Sequence, residues 1–383
     1  MAQWNRVPLI DYIELIGGGT PKTTVPEYWN GNIPWLSVKD FNNDKRYVYS
    51  TEKHISQSGF ENSPTKMLHK DDIIISARGT VGEIAMIPFD MAFNQSCYGI
   101  RASRGIDQPF LYYLLKNCIS QLKRMTHGSV FDTITRDTFA NIDVDIPDAE
   151  TQKRISSVLA DIDNKIEVND AINDNLQQQA KSLYEEMFLN NPDADMVSGT
   201  LSDIATITMG QSPSGSSYNE ESVGEIFYQG RAEFGFRFPT RRLFTTEPKR
   251  MAEPGDVLLS VRAPVGDLNV AYEKCCIGRG LGAIHSKTGD SSFMLYTMFA
   301  LKPQLDVFNG EGTVFGSINR DGLSNLPVNI PSAEEIAKFE ATVRPMDNLI
   351  RTNYEEICRL QSIRDSLLPK LMSGEIDVSD IKL

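Results

Sequence analysis

Clustered cations make residues 231–250 the stretch of this sequence best suited to contact an anion. Six arginines and lysines stand there against two acidic residues, Glu233 and Glu247, and four phenylalanines are interleaved with them. A groove that tracks a phosphate backbone needs such a concentration of positive charge. A solvated basic loop without a ligand is the alternative, and the sequence leaves both interpretations open.

Side chains that could read bases stand in both halves of the chain. Arginine can donate two hydrogen bonds to guanine, and asparagine or glutamine can pair with adenine, when a loop or helix brings them to a groove. The candidates for DNA contact in the first half are Lys22, Lys39, Arg78, Asn94 and Gln95. Those in the second half are Gln229, Arg231, Arg237, Arg241, Arg242, Arg262 and Arg279.

Arg78 and Arg262 are the strongest candidates for a phosphate contact. Each comes after a predicted strand beside a turn, at the same place in an internal repeat. A residue that both halves share cannot distinguish two targets, so we expect it to position a phosphate. A structural ion pair is the alternative. A second repeated segment, at 128–136 and 312–320, places small hydroxyl residues beside glycine, and it could bind a phosphate or simply form a turn.

The sequence contains no convincing set of catalytic residues. The glycine run before Thr20 lacks the lysine of a phosphate-binding loop. The Asn-Pro-Asp sequence at 191–193 lacks the second proline and the aromatic residue of an adenine methyltransferase motif. Four histidines and five cysteines show no metal-ligand spacing. We therefore expect no catalytic residue and no metal site in this chain.

An internal repeat organises these candidates. Residues 72–82 (DIIISARGTVG) match residues 256–266 (DVLLSVRAPVG), and residues 128–147 match 312–331, in both cases 184 positions later without a gap. Upstream, residues 9–21 resemble 201–213 and residues 31–41 resemble 224–234, with gaps between these anchors. The two halves share a frame while their loops differ. This pattern is typical of one scaffold that carries two binding specificities.

Each half is predicted to have an α+β fold. Apolar and β-branched runs predict strands at 73–76 and 257–260, and alternating patterns predict strands at 141–146 and 325–330. Helical spacing of apolar residues predicts helices over 109–125 and 292–301. We therefore expect two similar globular domains related by an internal pseudo-twofold repeat.

A long helix is predicted after each half, over 150–190 and from residue 333 onwards. Apolar residues recur there at alternating steps of three and four, the heptad pattern of a coiled coil, so the two helices could pair as an antiparallel coiled coil. Two ordinary core helices are the alternative. Pro345 should interrupt the second helix, so we expect a short helix over 333–343 before a longer one. The principal seam residues are Ile162, Ile166, Asn169, Leu176, Leu183, Met346, Ile350, Asn353, Leu360 and Leu367.

Length and composition are those of an ordinary globular protein. The chain has 383 residues and a net charge of −13, which argues against a nucleic-acid binder that works alone. The length predicts two or more domains. No run of 18 apolar residues predicts a membrane span, and no signal peptide is visible at the first residues. The odd number of cysteines favours reduced thiols, so we expect a cytoplasmic protein.

The order of these motifs resembles the specificity subunit of a type I restriction-modification system. The likeness is carried by the two strand–turn motifs, by IPDAETQKRISSVLADIDNKI and IPSAEEIAKFEATVRPMDNLI, and by SLLPKLMSGEIDV near the end of the chain. It covers essentially the whole sequence. The resemblance implies two target recognition domains, each of which reads one half of a bipartite, asymmetric DNA sequence. It also implies paired helices that set the unspecified spacer and dock two methyltransferase subunits.

The resemblance further implies the domain bounds of this chain and the tasks of its partner subunits. Target recognition domains at 1–148 and 193–332 would alternate with helical spacers at 149–192 and 333–383. The chain itself would do no chemistry and bind no cofactor, since S-adenosylmethionine, ATP and magnesium would belong to the methyltransferase subunits and to restriction subunits with an ATP-driven motor. The alternatives are a coiled-coil protein-binding scaffold that does not read DNA, and an enzyme with two duplicated lobes.

Overall fold

The computed structural model describes residues 4–126, 133–191, 195–262, 264–309 and 316–381. The described chain divides into two units. Unit 1 comprises residues 1–169 together with 355–383, and unit 2 comprises residues 170–354. Each unit therefore contains one globular α+β part and segments of two long helices. Within the described ranges, no helix combines the length and apolarity that a membrane crossing requires.

Unit 1 contains two four-stranded sheets and a separate two-stranded ribbon. Its strands are β1 (Asn5–Pro8), β2 (Ile13–Gly17), β3 (Trp29–Leu36), β4 (Lys53–Ile55), β5 (Met67–Leu68), β6 (Ile73–Ser76), β7 (Ile84–Met86), β8 (Met91–Phe93), β9 (Cys97–Ala102) and β10 (Asp143–Ile146). The sheet orders are β2-β9-β6-β7 and β4-β3-β8-β5, and β1 pairs with β10. The helices are α1 (Val38–Phe41), α2 (Gln57–Glu61), α3 (Gln108–Thr126), α4 (Arg136–Ala140) and the first part of α5 (Ala149–Tyr184).

Unit 2 repeats this arrangement of sheets, with one additional strand in its second sheet. Its strands are β11 (Met196–Thr200), β12 (Ala205–Met209), β13 (Tyr218–Asn219), β14 (Glu225–Tyr228), β15 (Phe244–Thr245), β16 (Met251–Ala252), β17 (Val257–Val261), β18 (Val265–Val270), β19 (Cys275–Ile277), β20 (Leu281–Ser286) and β21 (Pro327–Pro331). The sheet orders are β12-β20-β17-β18 and β13-β15-β14-β19-β16, and β11 pairs with β21. The helices are the second part of α5, α6 (Leu201–Ile204), α7 (Ser291–Ala300), α8 (Lys302–Asp306), α9 (Arg320–Ser324) and the first part of α10 (Ala333–Met372), whose second part lies in unit 1.

The predicted secondary structure is confirmed at the repeated segments. Strands β6, β17, β10 and β21 and helices α3 and α7 lie where the sequence places them. The apolar runs become strands because both of their faces are covered: every residue of β6 and of β17 is buried. The alternating residues of β10 bury every second side chain. The repeat in the sequence therefore corresponds to a repeat in the fold.

The predicted interruption of α10 at Pro345 is wrong, because a single helix runs from Ala333 to Met372. A proline inside a helix removes one backbone hydrogen bond and crowds the preceding turn. Pro345 is exposed, between the buried Val343 and the half-buried Met346. The carbonyl group that loses its partner therefore faces water, which can hydrogen-bond to it, and the helix continues.

The long helices contact each other within each unit through polar side chains. In unit 1, Arg364 of α10 donates to Asp163 of α5 at 3.0 Å, and Asn169 donates to Glu356 at 2.7 Å. In unit 2, Asn353 donates to Asn173 at 2.8 Å. In unit 2, Tyr184 of α5 also packs against Phe339 of α10, with ring centroids 5.6 Å apart. In each unit the residue numbers rise along one helix as they fall along its partner, so the two segments run antiparallel.

The helix seam is more polar than the heptad pattern suggests. Of the predicted seam residues, Ile166, Asn169, Ile350 and Asn353 are buried. The half-buried ones are Ile162, Leu176, Leu183, Met346, Leu360 and Leu367. The buried polar side chains beside them include Asp163, Gln177 and Arg364. A straight α-helix has 3.6 residues per turn, so its buried face moves away from a strict heptad over several turns.

The Asp163–Arg364 pair should contribute strongly to the stability of unit 1. Both side chains are 4% exposed. Replacing Arg364 with Met leaves Asp163 buried without its cation, and we expect the free energy of unfolding to fall by about 3–5 kcal/mol. The three tryptophans of the chain, Trp4, Trp29 and Trp35, all lie in unit 1. Tryptophan fluorescence during urea unfolding therefore reports on this unit.

A matched variant is Arg104→Met, which removes an exposed ion pair with Asp11. It should change the free energy of unfolding by no more than about 1 kcal/mol. The double variant Arg364→Met/Asp163→Leu should recover part of the loss, because it removes both buried charges. Equal effects of the Arg364 and Arg104 variants would contradict the importance of the buried pair.

Candidate nucleic-acid interface

Four strand ends meet at one edge of the globular part of unit 1. The Gly19 amide, after β2, donates to the carbonyl group of Phe93 at 2.9 Å. The Asn94 amide, after β8, donates to Leu36 at the end of β3 at 3.0 Å. The Arg78 amide, after β6, donates to Ser96 at 3.2 Å. We call this the strand-end edge; backbone hydrogen bonds fix it, so its frame depends little on side-chain identity.

Unit 2 forms a strand-end edge with equivalent hydrogen bonds. The Gln211 amide donates to the carbonyl group of Ile277 at 3.0 Å. This hydrogen bond corresponds to the one from Gly19 to Phe93 in unit 1. The Gly278 amide donates to the carbonyl group of Tyr228 at 2.8 Å, which corresponds to the hydrogen bond from Asn94 to Leu36 in unit 1. The carbonyl group of Gly280 accepts from Val261 at 2.9 Å, as Ser96 accepts from Ala77 at 2.8 Å. The two edges therefore share one backbone frame.

Gly18 and Gly210 allow the close approach on which this frame depends. A Cβ atom added to Gly18 would lie 2.1 Å from the carbonyl oxygen of Asn94, and one added to Gly210 would lie 2.1 Å from that of Gly278. Both clashes are with backbone, which a rotamer change cannot relieve. Glycine is therefore required at both positions by space rather than by its backbone angles.

Four of the candidates lie on or beside the strand-end edge of unit 1. Arg78 and Gln95 are exposed there, and Lys39 is exposed in α1, 3.9 Å from the Glu52 carboxylate. Asn94 is half-buried, and its side chain accepts from the Ser96 amide at 3.0 Å. This hydrogen bond occupies the side-chain carbonyl oxygen in the turn. Lys22 is exposed in the segment between β2 and β3.

The corresponding edge of unit 2 carries Gln229, Arg262 and Arg279, all exposed. Arg262 forms a β-bridge with Ser317, and Arg78 forms the matching bridge with Thr133. These bridges hold the backbone of the two arginines in the same way. The repeated residues 128–131 and 312–315 lie outside the described part of the chain.

Most arginines of residues 231–250, which we call the basic segment, form ion pairs within unit 2. Arg231 pairs with Asp267, and Arg241 pairs with Glu273. Arg242 pairs with Glu233 and, at 3.3 Å, with Glu220. The acidic partners at 220, 267 and 273 lie outside the segment, so the local charge count could not reveal them. In the partly exposed pairs of Arg231 and Arg241, a phosphate could compete with the carboxylate at low cost, whereas the partner of Arg242, Glu233, is buried.

Arg237 occupies a buried position and serves the fold. Its guanidinium group is 4% exposed and donates to Asp347 of α10 at 2.6 Å, to Gln177 of α5 at 3.0 Å and to Tyr296 of α7 at 3.2 Å. Burial alone would lower the pKa of Arg237, but Asp347 and Tyr296 outweigh it and raise the pKa above its ordinary value. A DNA contact by this side chain would first require the ion pair to open.

The aromatic residues of the same segment divide between core and surface. Phe238 is buried and packs against Tyr272 and Tyr354, with ring centroids 5.5 and 5.0 Å away. Phe234 and Phe244 are half-buried, whereas Phe236 is 45% exposed. Phe236 is therefore the member of the four with most surface to offer a ligand.

Two hydroxyl residues at the strand-end edges, Thr20 and Ser212, were not among the candidates predicted from the sequence. The Thr20 hydroxyl donates to the side-chain carbonyl oxygen of Gln95. Ser212 accepts from the Arg279 amide at 3.2 Å. Each hydroxyl residue precedes a proline, Pro21 or Pro213, at corresponding places in the two halves. That shared Thr/Ser-Pro pattern was the signal that could have revealed them.

The two halves of the chain match the same family model, described as the type I restriction modification DNA specificity domain. The matches cover residues 1–178 and 194–359. The chain belongs to this family. It is therefore a type I DNA specificity subunit, which is the non-catalytic subunit of these systems, and membership does not favour the protein-binding scaffold. Within the described ranges, no group of three His, Cys, Asp or Glu residues is placed to hold a metal ion.

Two relatives from Methanocaldococcus jannaschii are also described as specificity subunits of type I restriction enzymes. One, described as the MjaX specificity subunit of a type I restriction enzyme, is 31% identical over 71% of this chain and 69% of its own length. Another, the MjaIX specificity subunit, is 24% identical over 99% of this chain and 94% of its own length. The crystal structure of an S subunit from M. genitalium covers 97% of this chain and 96% of its own chain, with 15% identity and a TM-score of 0.58. That likeness shows the fold alone.

The close approach at Gly18 leads to a test of the strand-end edge. We expect Gly18→Ala to lower the free energy of unfolding of unit 1 by about 1–3 kcal/mol, because the added methyl group must push the Asn94 backbone away. Gly17→Ala is the matched control, since nothing lies within 4 Å of a Cβ added there. Urea unfolding monitored by tryptophan fluorescence compares the two variants. Equal stabilities would show that the edge tolerates a side chain at position 18.

Proposed function

We propose that this chain reads a bipartite DNA sequence, with one half-site for each globular part. The observation that carries this proposal is the strand-end edge, which is built twice on one backbone frame with different side chains. A duplicated frame gives two binding surfaces of similar shape. Different side chains on that frame give two specificities, as an asymmetric target requires.

The shared and the different residues have separate tasks in this proposal. Arg78 and Arg262 occupy equivalent, exposed positions, so they suit a phosphate contact that sets the register of each domain on the duplex. The side chains that differ, among them those of Gln95, Gln229 and Arg279, suit contacts to base edges. The structural ion pair considered for Arg78 and Arg262 has no support, since no described acidic residue pairs with either guanidinium group.

The long helices suit the role of a ruler in this proposal. We propose that α5 and α10 form an antiparallel coiled coil, that they set the spacer between the half-sites, and that they dock two methyltransferase subunits. Val168 and Ile172 on α5 are exposed large apolar residues, as are Leu349 and Ile363 on α10, and such residues suit protein contacts. In this assembly S-adenosylmethionine, ATP and magnesium are bound by partner subunits, and the complex works on genomic DNA in the cytoplasm.

The first experiment is a methylation map of genomic DNA from cells that contain the methyltransferase partner, with and without this chain. We expect an N6-methyladenine motif that depends on the chain and has two halves separated by a fixed, unspecified gap. Activity of the partner must be shown separately, for example by restoring a motif with a different specificity subunit. An active partner without any chain-dependent motif would refute the proposed function.

The ruler is tested by lengthening both helices together. Inserting four residues between Ala171 and Ile172 and four between Tyr354 and Glu355 should keep the two helices paired. Each insertion adds about 6 Å to its helix. It also rotates the downstream part of that helix by about 40° beyond one full turn, close to the twist of one base pair. We expect the spacer to grow by one or two base pairs while the bases of both half-sites stay the same.

The control places the same four residues in the exposed turn between Arg104 and Gly105, which is outside α5 and α10. This control variant should keep the original spacer. The methylation motif of each variant, determined by sequencing, decides between the outcomes. A change in the half-site bases after helix lengthening, or the same longer spacer in the control, would contradict the ruler.

A further inference from the structure

The two strand-end edges carry different side chains at one equivalent position, residue 95 in the first and residue 279 in the second. We propose that Gln95 and Arg279 are equivalent base-reading residues: Gln95 selects an adenine in one half-site, and Arg279 selects a guanine in the other. This inference rests on the proposed function. It adds to it the identity of one specificity-determining residue in each domain and the base that each one reads.

The backbone places the two residues identically. Each is the second residue of a turn that joins two strands, closed by the Cys97 amide to Asn94 at 3.4 Å in one unit and by the Leu281 amide to Gly278 at 2.9 Å in the other. The strand before each turn ends in a fully buried residue, Phe93 or Ile277. A short turn on a buried strand holds its outward side chain in a reproducible place.

Both side chains are available for a ligand. Gln95 and Arg279 are exposed, whereas the residues two positions before them, Phe93 and Ile277, are fully buried. In the described part of the chain no acidic residue pairs with the Arg279 guanidinium group. Arg279 differs in this from Arg231, Arg241 and Arg242, each of which has a carboxylate partner.

A neighbouring hydroxyl group, of Thr20 or of Ser212, hydrogen-bonds to each of the two residues. Thr20 donates to the side-chain carbonyl oxygen of Gln95 and so restricts the rotation of that amide. The oxygen keeps its second lone pair and the amide nitrogen keeps both hydrogens, so the two-atom pattern that complements adenine stays open. At the equivalent position, Ser212 accepts from the Arg279 backbone amide and leaves the guanidinium group unengaged.

The chemistry of the two side chains assigns the bases. Glutamine can accept from N6 of adenine while it donates to N7, and arginine can donate to both O6 and N7 of guanine. Arg78 and Arg262 cannot make this distinction because they are the same residue in both units. Position 95/279 therefore combines an identical frame with side chains of different base preference.

The test exchanges the two residues in the full assembly with its methyltransferase partners. Gln95→Arg should change one A·T pair of the first half-site to G·C and leave the second half-site unchanged, and Arg279→Gln should do the reverse. We expect the preferred base at that position to shift by a factor of about 10–100, the discrimination that one bidentate contact supplies. Methylation maps and rates on synthetic duplexes measure the shift.

Two matched variants control for charge and position. Gln57→Arg adds the same charge at an exposed site on α2 of unit 1, and Lys287→Gln removes one from the exposed turn after β20 of unit 2. Both should leave the recognised bases unchanged. Thr20→Val tests the preparation of Gln95: it should weaken the preference for adenine at the same position that Gln95→Arg changes, without altering the second half-site.

The outcomes separate this inference from the proposed function. An unchanged motif in active Gln95→Arg and Arg279→Gln complexes would overturn the base assignment, as would a lower methylation rate that is the same for every base at that position. If both exchanged variants lose activity altogether while unfolding normally, Thr20→Val decides: an unchanged adenine preference overturns the assignment. The proposed function fails only if the unaltered chain directs no bipartite motif.

Discussion

An aspartate at an equivalent position of each long helix anchors this structure, and it is buried in unit 1 and half-buried in unit 2. Asp163 on α5 and Asp347 on α10 occupy the same place in the repeat, and each accepts from a tyrosine of its own unit, Tyr113 at 2.7 Å and Tyr296 at 3.1 Å. A buried carboxylate needs a cation and hydrogen bonds to offset its loss of water. The structure meets this need in both units, although it takes the cation from different places.

In unit 1 the cation is Arg364 of the partner helix, and in unit 2 it is Arg237 of the globular part. The residue of α5 that corresponds to Arg364, 184 positions earlier, is Ala180, which lies in unit 2 and has a small side chain that cannot provide a charge. Both solutions connect a helix to its surroundings by an ion pair whose loss would leave a covered charge without a partner. The same geometry can therefore persist while the sequences of the two halves diverge.

The strand-end edges show the complementary principle. Backbone hydrogen bonds and two required glycines form their frame, so the exposed side chains are free to differ. The net charge of −13 and the paired arginines of the basic segment leave few unpaired cations near these edges in the described chain. Specificity here is better explained by a few well-positioned donors than by a broad positive surface. In such an assembly, cations on partner subunits can supply the remaining attraction to phosphates.

The sequence by itself determined the repeat, the principal strands and helices, and the family. These depend on local periodicity and on the order of motifs, which need no knowledge of distant contacts. The tertiary structure decided which side chains form ion pairs and hydrogen bonds with each other. Arg237 meets Asp347 from 110 positions away, and Thr20 meets Gln95 from 75 positions away, so neither pairing has a local signal. The exposure of Pro345, which lets α10 continue, likewise depends on which face of the helix the rest of the unit covers, and only packing sets that.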